Sequence, residues 1–305
     1  MISSFQVYAD KYPSKIACSD SLENFNWRQL HNVTDDLARN LIDLGLARDE
    51  RVLVQIPSSS REIVLRIALQ KAGLLGVFVP LQWRKKELSY VIKRVEPSLV
   101  VLSCLHAELD IAETLVWIYS QNSSLRFFAK IDGKPKKNWL SWENLVNQNH
   151  TESNLLEIEN RCFDYDEISL ITASSGTSGM AKLCEWPDAA QRCVGKGIGK
   201  RLQISAEDRI GIFAPMSGAA GLLAWTISAS VPCEYIFPKN YRAEYLLRLI
   251  ESQKITVVTT VPVILARLVQ EPLESYNLNS LRALRVGTAA INTQVAISFE
   301  KRTGC

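Results

Sequence analysis

Between Ile168 and Lys182 an apolar, strand-like run, Ile168–Thr172, empties into Ser174-Ser-Gly-Thr-Ser-Gly179 and ends at a single lysine, Lys182. The hydroxyls of Ser174, Ser175, Thr177 and Ser178, with several free backbone N–H groups, can be aimed at oxygen anions. Gly176 and Gly179 let the backbone come close to a ligand, and Lys182 adds a mobile point charge. That is the chemistry needed to hold a polyphosphate. A solvated Ser/Gly loop or linker has the same composition.

Spacing narrows the choice of phosphate loop. A Walker A loop needs G-x-x-x-x-G-K-[ST]. Counted from Gly176, Ala181 stands where the second glycine belongs and Leu183 where the metal-binding hydroxyl belongs. The P-loop NTPase reading fails at both positions. A dinucleotide-binding G-x-G-x-x-G fails too, because Gly176 and Gly179 are wrongly spaced.

The elements that must position this loop alternate. Leu30, Val33, Leu37, Leu41 and Leu44 mark a helix ending at Gly45, and Val52–Ile56 is a short β-rich run. Ser58–Ser60 could bind an anion, though capping the helix that runs to Gly73 is the simpler role. Further strands are expected at Gly76–Leu81, Ser98–Leu102, Leu125–Ile131 and Ile168–Thr172. Helices are expected at Glu87–Val95, Leu109–Tyr119 and Trp139–Asn147, and Asn149–Asn160 reads as a polar connector. After the loop the pattern resumes with strands Arg209–Phe213, Glu234–Phe237, Thr256–Thr260 and Leu284–Val286. Helices follow at Gly218–Ser230, Ala243–Gln253, Val263–Val269 and from Asn292 through Lys301. Strand–helix alternation predicts an α/β fold of layered, largely parallel sheets flanked by helices.

Composition excludes several classes. The 305 residues are 47% apolar and 22% charged, with a net charge of +3 from 35 basic and 32 acidic side chains. That balance argues against nucleic acid as a partner, and the basic runs Arg84–Lys86 and Lys134–Lys137 are too short to change this. No apolar run approaches the about 20 residues a membrane span needs. Seven scattered cysteines without a C-x-x-C pair read as reduced thiols, and with no signal-peptide pattern at Met1–Phe5 the expected location is cytoplasmic. Three isolated histidines, His31, His106 and His150, give a metal site little support.

Ser174–Lys182 resembles the Y-T-S-G-T-T-G-x-P-K-G signature of adenylate-forming enzymes: acyl- and aryl-CoA synthetases, peptide-synthetase adenylation domains and luciferases. Ala181 replaces the usual proline, Leu183 the usual glycine, and Cys184–Pro187 occupies the stretch where a histidine often follows. Six further segments resemble the family in order. Asn26–Leu30 is similar to T-[YW]-x-E-L, Lys71–Leu81 to K-A-G-x-x-x-V-P-L, and Ala214–Leu222 to P-L-F-H-x-x-G. Val261-Pro262 falls on a pocket-helix V-P, and Gly287–Ile291 with Arg302–Cys305 resembles G-G-A-P-L followed by R-T-G-C.

The resemblance implies ATP-dependent activation of a carboxylic acid to an acyl-adenylate, with release of pyrophosphate, then transfer to a thiol of coenzyme A or a carrier protein. ATP with Mg²⁺ is the implied cofactor. The phosphate loop would be Ser174, Ser175, Gly176, Thr177, Ser178, Gly179 and Lys182, and the adenine and acyl pocket Gly287, Thr288, Ala289 and Ala290. Ser217 and Gly218 would wall the acyl site, where their small size leaves room for an aryl or cyclic acid. Ser217–Gly221 reads equally as a tight strand-to-helix turn.

By the same resemblance residues 1–305 form part of an N-terminal adenylation domain, with residues 51–180 as one α/β subdomain and 1–50 plus 181–305 as a second, incomplete one. The Mg²⁺-binding glutamate, a ribose-binding aspartate and the mobile C-terminal domain are expected beyond Cys305, so little adenylation is expected of the isolated chain. The alternative is a non-catalytic homologue that binds nucleotide or a partner without turnover.

Overall fold

Asn26 opens the first long helix with a reciprocal cap. Its side chain accepts from Gln29 N at 2.8 Å, and Gln29 Oε1 accepts from Asn26 N at 3.0 Å. The helix, Trp27–Asp43, buries Leu30, Leu37 and Leu41 on one face, and Gly45 at φ +78° turns the chain away. The structure is a computed structural model that describes residues 2–103, 124–133, 138–146, 155–173 and 181–305. The expected helix Leu109–Tyr119, the basic run Lys134–Lys137 and the loop Ser174–Gly179 lie outside the described residues.

In chain order the described helices are α1 (Ile2–Lys11), α2 (Trp27–Asp43), α3 (Ser60–Lys71), α4 (Lys85–Val95), α5 (Trp142–Val146), α6 (Leu155–Arg161), α7 (Asp188–Arg201), α8 (Ala219–Trp225), α9 (Ala243–Gln253), α10 (Pro262–Gln270) and α11 (Thr293–Thr303). The strands are β1 (Ile16–Ser19), β2 (Asn24–Asn26), β3 (Arg51–Gln55), β4 (Leu75–Phe78), β5 (Leu99–Leu102), β6 (Phe127–Lys130), β7 (Leu140–Ser141), β8 (Ile168–Ala173), β9 (Leu183–Pro187), β10 (Arg209–Phe213), β11 (Glu234–Ile236), β12 (Val257–Thr260) and β13 (Ala283–Val286).

Two sheets result. Seven strands run in the order β7-β6-β5-β3-β4-β8-β9, and six in the order β13-β12-β10-β11-β1-β2. Every pairing is parallel except β1 with β2 and β8 with β9. The expected α/β architecture of largely parallel, helix-flanked sheets is what the chain adopts. β1 and β2 join the sheet built by residues beyond 209, and β9, although it follows residue 180, pairs in the seven-stranded sheet.

Parallel strands covered on both faces read as continuous apolar runs, and side-chain alternation sends neighbours to different cores. Val52 and Val54 of β3 join a core shared with Ile212, Met216, Trp225 and Tyr235 of the other sheet's elements. Leu53, between them, faces a separate cluster with Leu88, Val91 and Ile92 of α4. In the same way Ile210 and Ile212 of β10 face the shared core, while Phe213 packs with Leu246, Leu247 and Ile250 of α9. The sheets are therefore joined by one apolar core, which fixes the elements that carry the site.

Some elements differ from expectation. The described part of the stretch read as a connector, from Leu155 on, lies in α6, and residues 149–154 lie outside the described residues. Trp139–Asn147 is a two-residue strand followed by one helical turn, because Ser141 caps Asn144 N at 3.1 Å. The helix expected over Gly218–Ser230 breaks after Trp225 into a 3₁₀ turn, Thr226–Ala229. α1, β1, β2, β9 and α7 were not evident from periodicity.

Candidate active site at the strand ends

The three segments singled out by sequence each leave the C-terminal end of a parallel strand. Residues 174–182 follow β8, Ala214–Gly218 follows β10, and Gly287–Ala290 follows β13. In open α/β sheets the crevice at those ends is where ligands bind.

Of the first segment's candidate site residues only Lys182 is described; Ser174, Ser175, Gly176, Thr177, Ser178 and Gly179 are not. Ala173 pairs with Leu183, so the segment's two ends are held side by side by the antiparallel β8–β9 pair. Trp186 Nε1 donates to Thr172 Oγ1 at 3.0 Å and locks that register. Lys182 is exposed.

The second segment is a tight turn in fact. Gly218 N donates to the Pro215 carbonyl at 3.1 Å, and Gly218 is the first cap of α8. A Cβ at Gly221 would lie 2.7 Å from both the Ala214 and Pro215 carbonyl oxygens, so the helix can fold back on the turn only with glycine there. Ser217 is buried.

Sequence patterns gave no warning of what clamps this turn. Both backbone groups of Met216 are held by the segment that starts α3: its N–H donates to Ser58 Oγ at 2.7 Å, and its carbonyl accepts from Arg66 Nη2 at 2.9 Å. Arg66 also pairs with Glu62 at 2.6 Å, one turn away, and lies 3.6 Å over the Phe78 ring. Burial pushes the Glu62 carboxyl up and the Arg66 guanidinium down, and each partner opposes the other's shift. Of the serines Ser58–Ser60, Ser59 caps α3 by accepting from Glu62 N, Ser58 takes Met216, and Ser60 N donates to Asp20 at 2.8 Å. The anion option for these serines is replaced by structural bonds. Only an i, i+4 Glu–Arg pair on an otherwise apolar helix could have flagged the clamp.

The third segment is open. Gly287 N donates to the Thr260 carbonyl at 3.3 Å, and Thr288, Ala289 and Ala290 are exposed. A Cβ on Gly287 would meet nothing within 4 Å. Thr288 adopts φ +70°, a left-handed conformation costly for a β-branched residue. It stands where the resembled motif has its second glycine, which explains why that motif uses glycine. Arg285, in the strand before it, donates from Nη1 to Thr259 Oγ1 at 3.1 Å and to the Ala220 carbonyl of α8 at 3.3 Å, linking this segment to the second.

Other motif residues are structural. Lys71 is buried, with its ammonium 2.6 Å from Asp35 and 2.8 Å from Thr34 Oγ1. Arg302 reaches the Val269 and Glu271 carbonyls and Glu274, tying α11 to the end of α10. A groove of about 650 Å³ beside Gln70, Cys162, Tyr165 and Arg192 contains none of the site residues. Among the described residues no helix is long and apolar enough to cross a membrane, and no cluster of three or more His, Cys, Asp or Glu could hold a metal.

Residues 5–305 match the AMP-binding enzyme family. The chain is 22% identical over 311 residues to the 2-hydroxy-7-methoxy-5-methyl-1-naphthoate–CoA ligase of Streptomyces carzinostaticus, covering 97% of this chain and 54% of that protein. It is 21% identical over 302 residues to the medium-chain fatty-acid–CoA ligase of Escherichia coli, covering 98% and 52%. The chain thus spans about half the length of these relatives. The crystal structure of the anthranilate CoA ligase AuaEII in complex with anthranoyl-AMP shares its fold, with a TM-score of 0.85 at 18% identity over 99% of this chain and 58% of that one.

Proposed function

Because the chain belongs to the AMP-binding enzyme family, we propose that it carries the phosphate-loop and acyl-pocket part of an enzyme that activates a carboxylic acid with ATP. A carboxylate oxygen attacks the α-phosphorus in line, the bond from that phosphorus to the bridging oxygen breaks, and pyrophosphate leaves with the electron pair. The acyl-adenylate then meets a thiolate of coenzyme A or a carrier protein, which attacks the acyl carbon and expels AMP. The observation that supports this reading is that each of the three expected segments follows the C-terminal end of a parallel strand.

The chain's own contribution is positioning and charge neutralisation rather than covalent chemistry. Ser174–Gly179 and Lys182 hold the β- and γ-phosphates, Gly287–Ala290 borders the adenine and acyl groups, and Ser217–Gly218 walls the acid. The family implies Mg²⁺, which would neutralise phosphate charge when bound; the described residues offer it no cluster of three or more His, Cys, Asp or Glu donors. An aryl or cyclic acid is the favoured substrate, on the small residues at 217–218 and the naphthoate ligase among the relatives. The two sheets are read as two subdomains of one adenylation domain. A cytoplasmic location belongs to the same proposal and rests on scattered thiols, of which Cys18, Cys162, Cys184, Cys193, Cys233 and Cys305 are free.

Carboxylate-dependent ATP–pyrophosphate exchange across a panel of aryl and cyclic acids, run on the chain joined to a relative's C-terminal portion because it spans about half the relatives' length, tests the activity. Lys182→Ala should raise the KM for ATP about ten-fold and leave the acid's KM in place, as loss of one charge-assisted contact predicts. A fall in acid affinity with ATP unaffected would remove the phosphate role of Lys182. Ala181 and Leu183, which depart from the resembled signature, favour a second reading: nucleotide binding without turnover, seen as ATP binding with no exchange for any acid.

A further inference from the structure

Arg285 sits near the C-terminal end of β13, two residues before Gly287 and in register with Thr259 of β12. Its guanidinium reaches across to the helix that follows Ser217–Gly218, where Nη1 meets the Ala220 carbonyl. One side chain therefore bridges the strand that leads to Gly287–Ala290 and the helix that follows Ser217–Gly218. The other arginines of this sheet have anions: Arg209 lies 2.8 Å from Glu234, and Arg282 2.7 Å from Asp208. Arg285 makes no such ion pair among the described residues, and burial alone, with no acidic group opposing it, pushes its guanidinium below the ordinary range. Thr259 and Ala220 are neutral acceptors that engage Nη1 only, so the Nε and Nη2 donors have no partner among the described residues.

Neither Nε nor Nη2 is among the buried polar atoms left without a partner, so this edge of the guanidinium is open to solvent and to a ligand. Resting on the acid-activating reading above, we propose that Arg285 determines specificity in the acyl pocket by pairing with a second carboxylate on the acid, so that the substrate class is a dicarboxylic acid whose distal group is held by the free edge of the guanidinium. That edge presents two parallel N–H donors, the arrangement suited to a carboxylate. The reacting carboxylate stays free to face ATP.

The test compares matched acids on the 305-residue chain. Succinate, glutarate, adipate, isophthalate and terephthalate are each titrated calorimetrically against their own monoamide, which keeps the reacting carboxyl and the shape but removes the distal charge. ATP is titrated in parallel. At least one dicarboxylate should bind about ten- to a hundred-fold tighter than its monoamide, the range for a hydrogen-bonded charge partner. Arg285→Met should abolish that preference while ATP affinity stays within two-fold, and Arg285→Lys, which retains the charge, should keep part of it. Equal affinities within every pair, or a preference that survives Arg285→Met, would overturn the assignment. So would an equal loss for diacid and monoamide in Arg285→Met, since that places the guanidinium on the reacting carboxylate. A parent chain that binds the diacids selectively but never ATP overturns the acid-activating reading instead, while one that binds neither ATP nor any acid removes both.

Discussion

Arg66 and Arg285 reach the same turn-and-helix segment, one at the Met216 carbonyl and the other at the Ala220 carbonyl. Arg66 is almost fully buried, shares its charge with Glu62 and covers the face of Phe78. Arg285 is half-buried and meets only neutral oxygens. A compensated buried charge fixes backbone; an uncompensated one at the rim of an open strand end is suited to a ligand. The contrast separates the part of the wall that must not move from the part that is free to recognise.

The largest effect should come from breaking the compensated pair. Arg66→Met leaves Glu62 buried and alone, and should cost about 3–5 kcal/mol in chemical denaturation. Replacing both, Glu62→Leu with Arg66→Met, should recover most of that loss, whereas Arg285→Met should stay within about 1 kcal/mol of the parent because no anion is abandoned. If Arg285→Met proved as damaging as Arg66→Met, the two arginines would be equivalent struts and the contrast would fail.

The Arg282–Asp208 pair sharpens the comparison from the exposed side. Burial pushes the Asp208 carboxyl up, but hydrogen bonds from Arg282, Ser205 N and Thr256 together hold it below its ordinary value. A depressed folded-state pKa gives stability that is present above the unfolded carboxyl value near about 4 and is lost as pH falls through the folded one. Asp208→Asn should therefore cost about 1 kcal/mol at pH 7, given the partial exposure of Arg282. The difference from the parent should shrink below about pH 4; thermal unfolding between neutral and acidic pH reads it, and a constant difference would assign the cost to packing.

The smallest effect concerns strain at the open segment. Thr288→Gly relieves a left-handed β-branched residue and should raise stability by about 0.5–1 kcal/mol, after the added flexibility of glycine in the unfolded chain is subtracted. A lower melting temperature for this variant would mean that the threonine side chain holds the segment in place.

Periodicity found the elements whose own residues specify them. The buried strands Arg209–Phe213 and Leu99–Leu102 and the helix Ala243–Gln253 carry apolar patterns that few other structures satisfy. It missed α7, Asp188–Arg201, which contains Gly195, Gly197 and Gly199 and has poor intrinsic helix propensity. A Cβ at Gly195 would lie 2.0 Å from the Thr226 carbonyl oxygen, so glycine is there for close contact with the 3₁₀ turn. β9 was missed because an antiparallel edge strand with exposed Cys184 and Glu185 lacks a buried run. The motif-bearing segments were legible because loops at strand ends keep the residue types their ligands require.

By itself the sequence determined that strands and helices would alternate, since backbone preference and side-chain type are local properties, and it offered the segments after Ala173, Phe213 and Val286 as candidates for the chemistry. Tertiary structure alone decided which backbone each arginine holds. Arg66 finds Met216 at a separation of 150 residues and Arg285 finds Ala220 at 65. Electrostatic partners across such distances are set by how the two sheets pack, because a charge responds to what surrounds it in space and not to its neighbours in the chain.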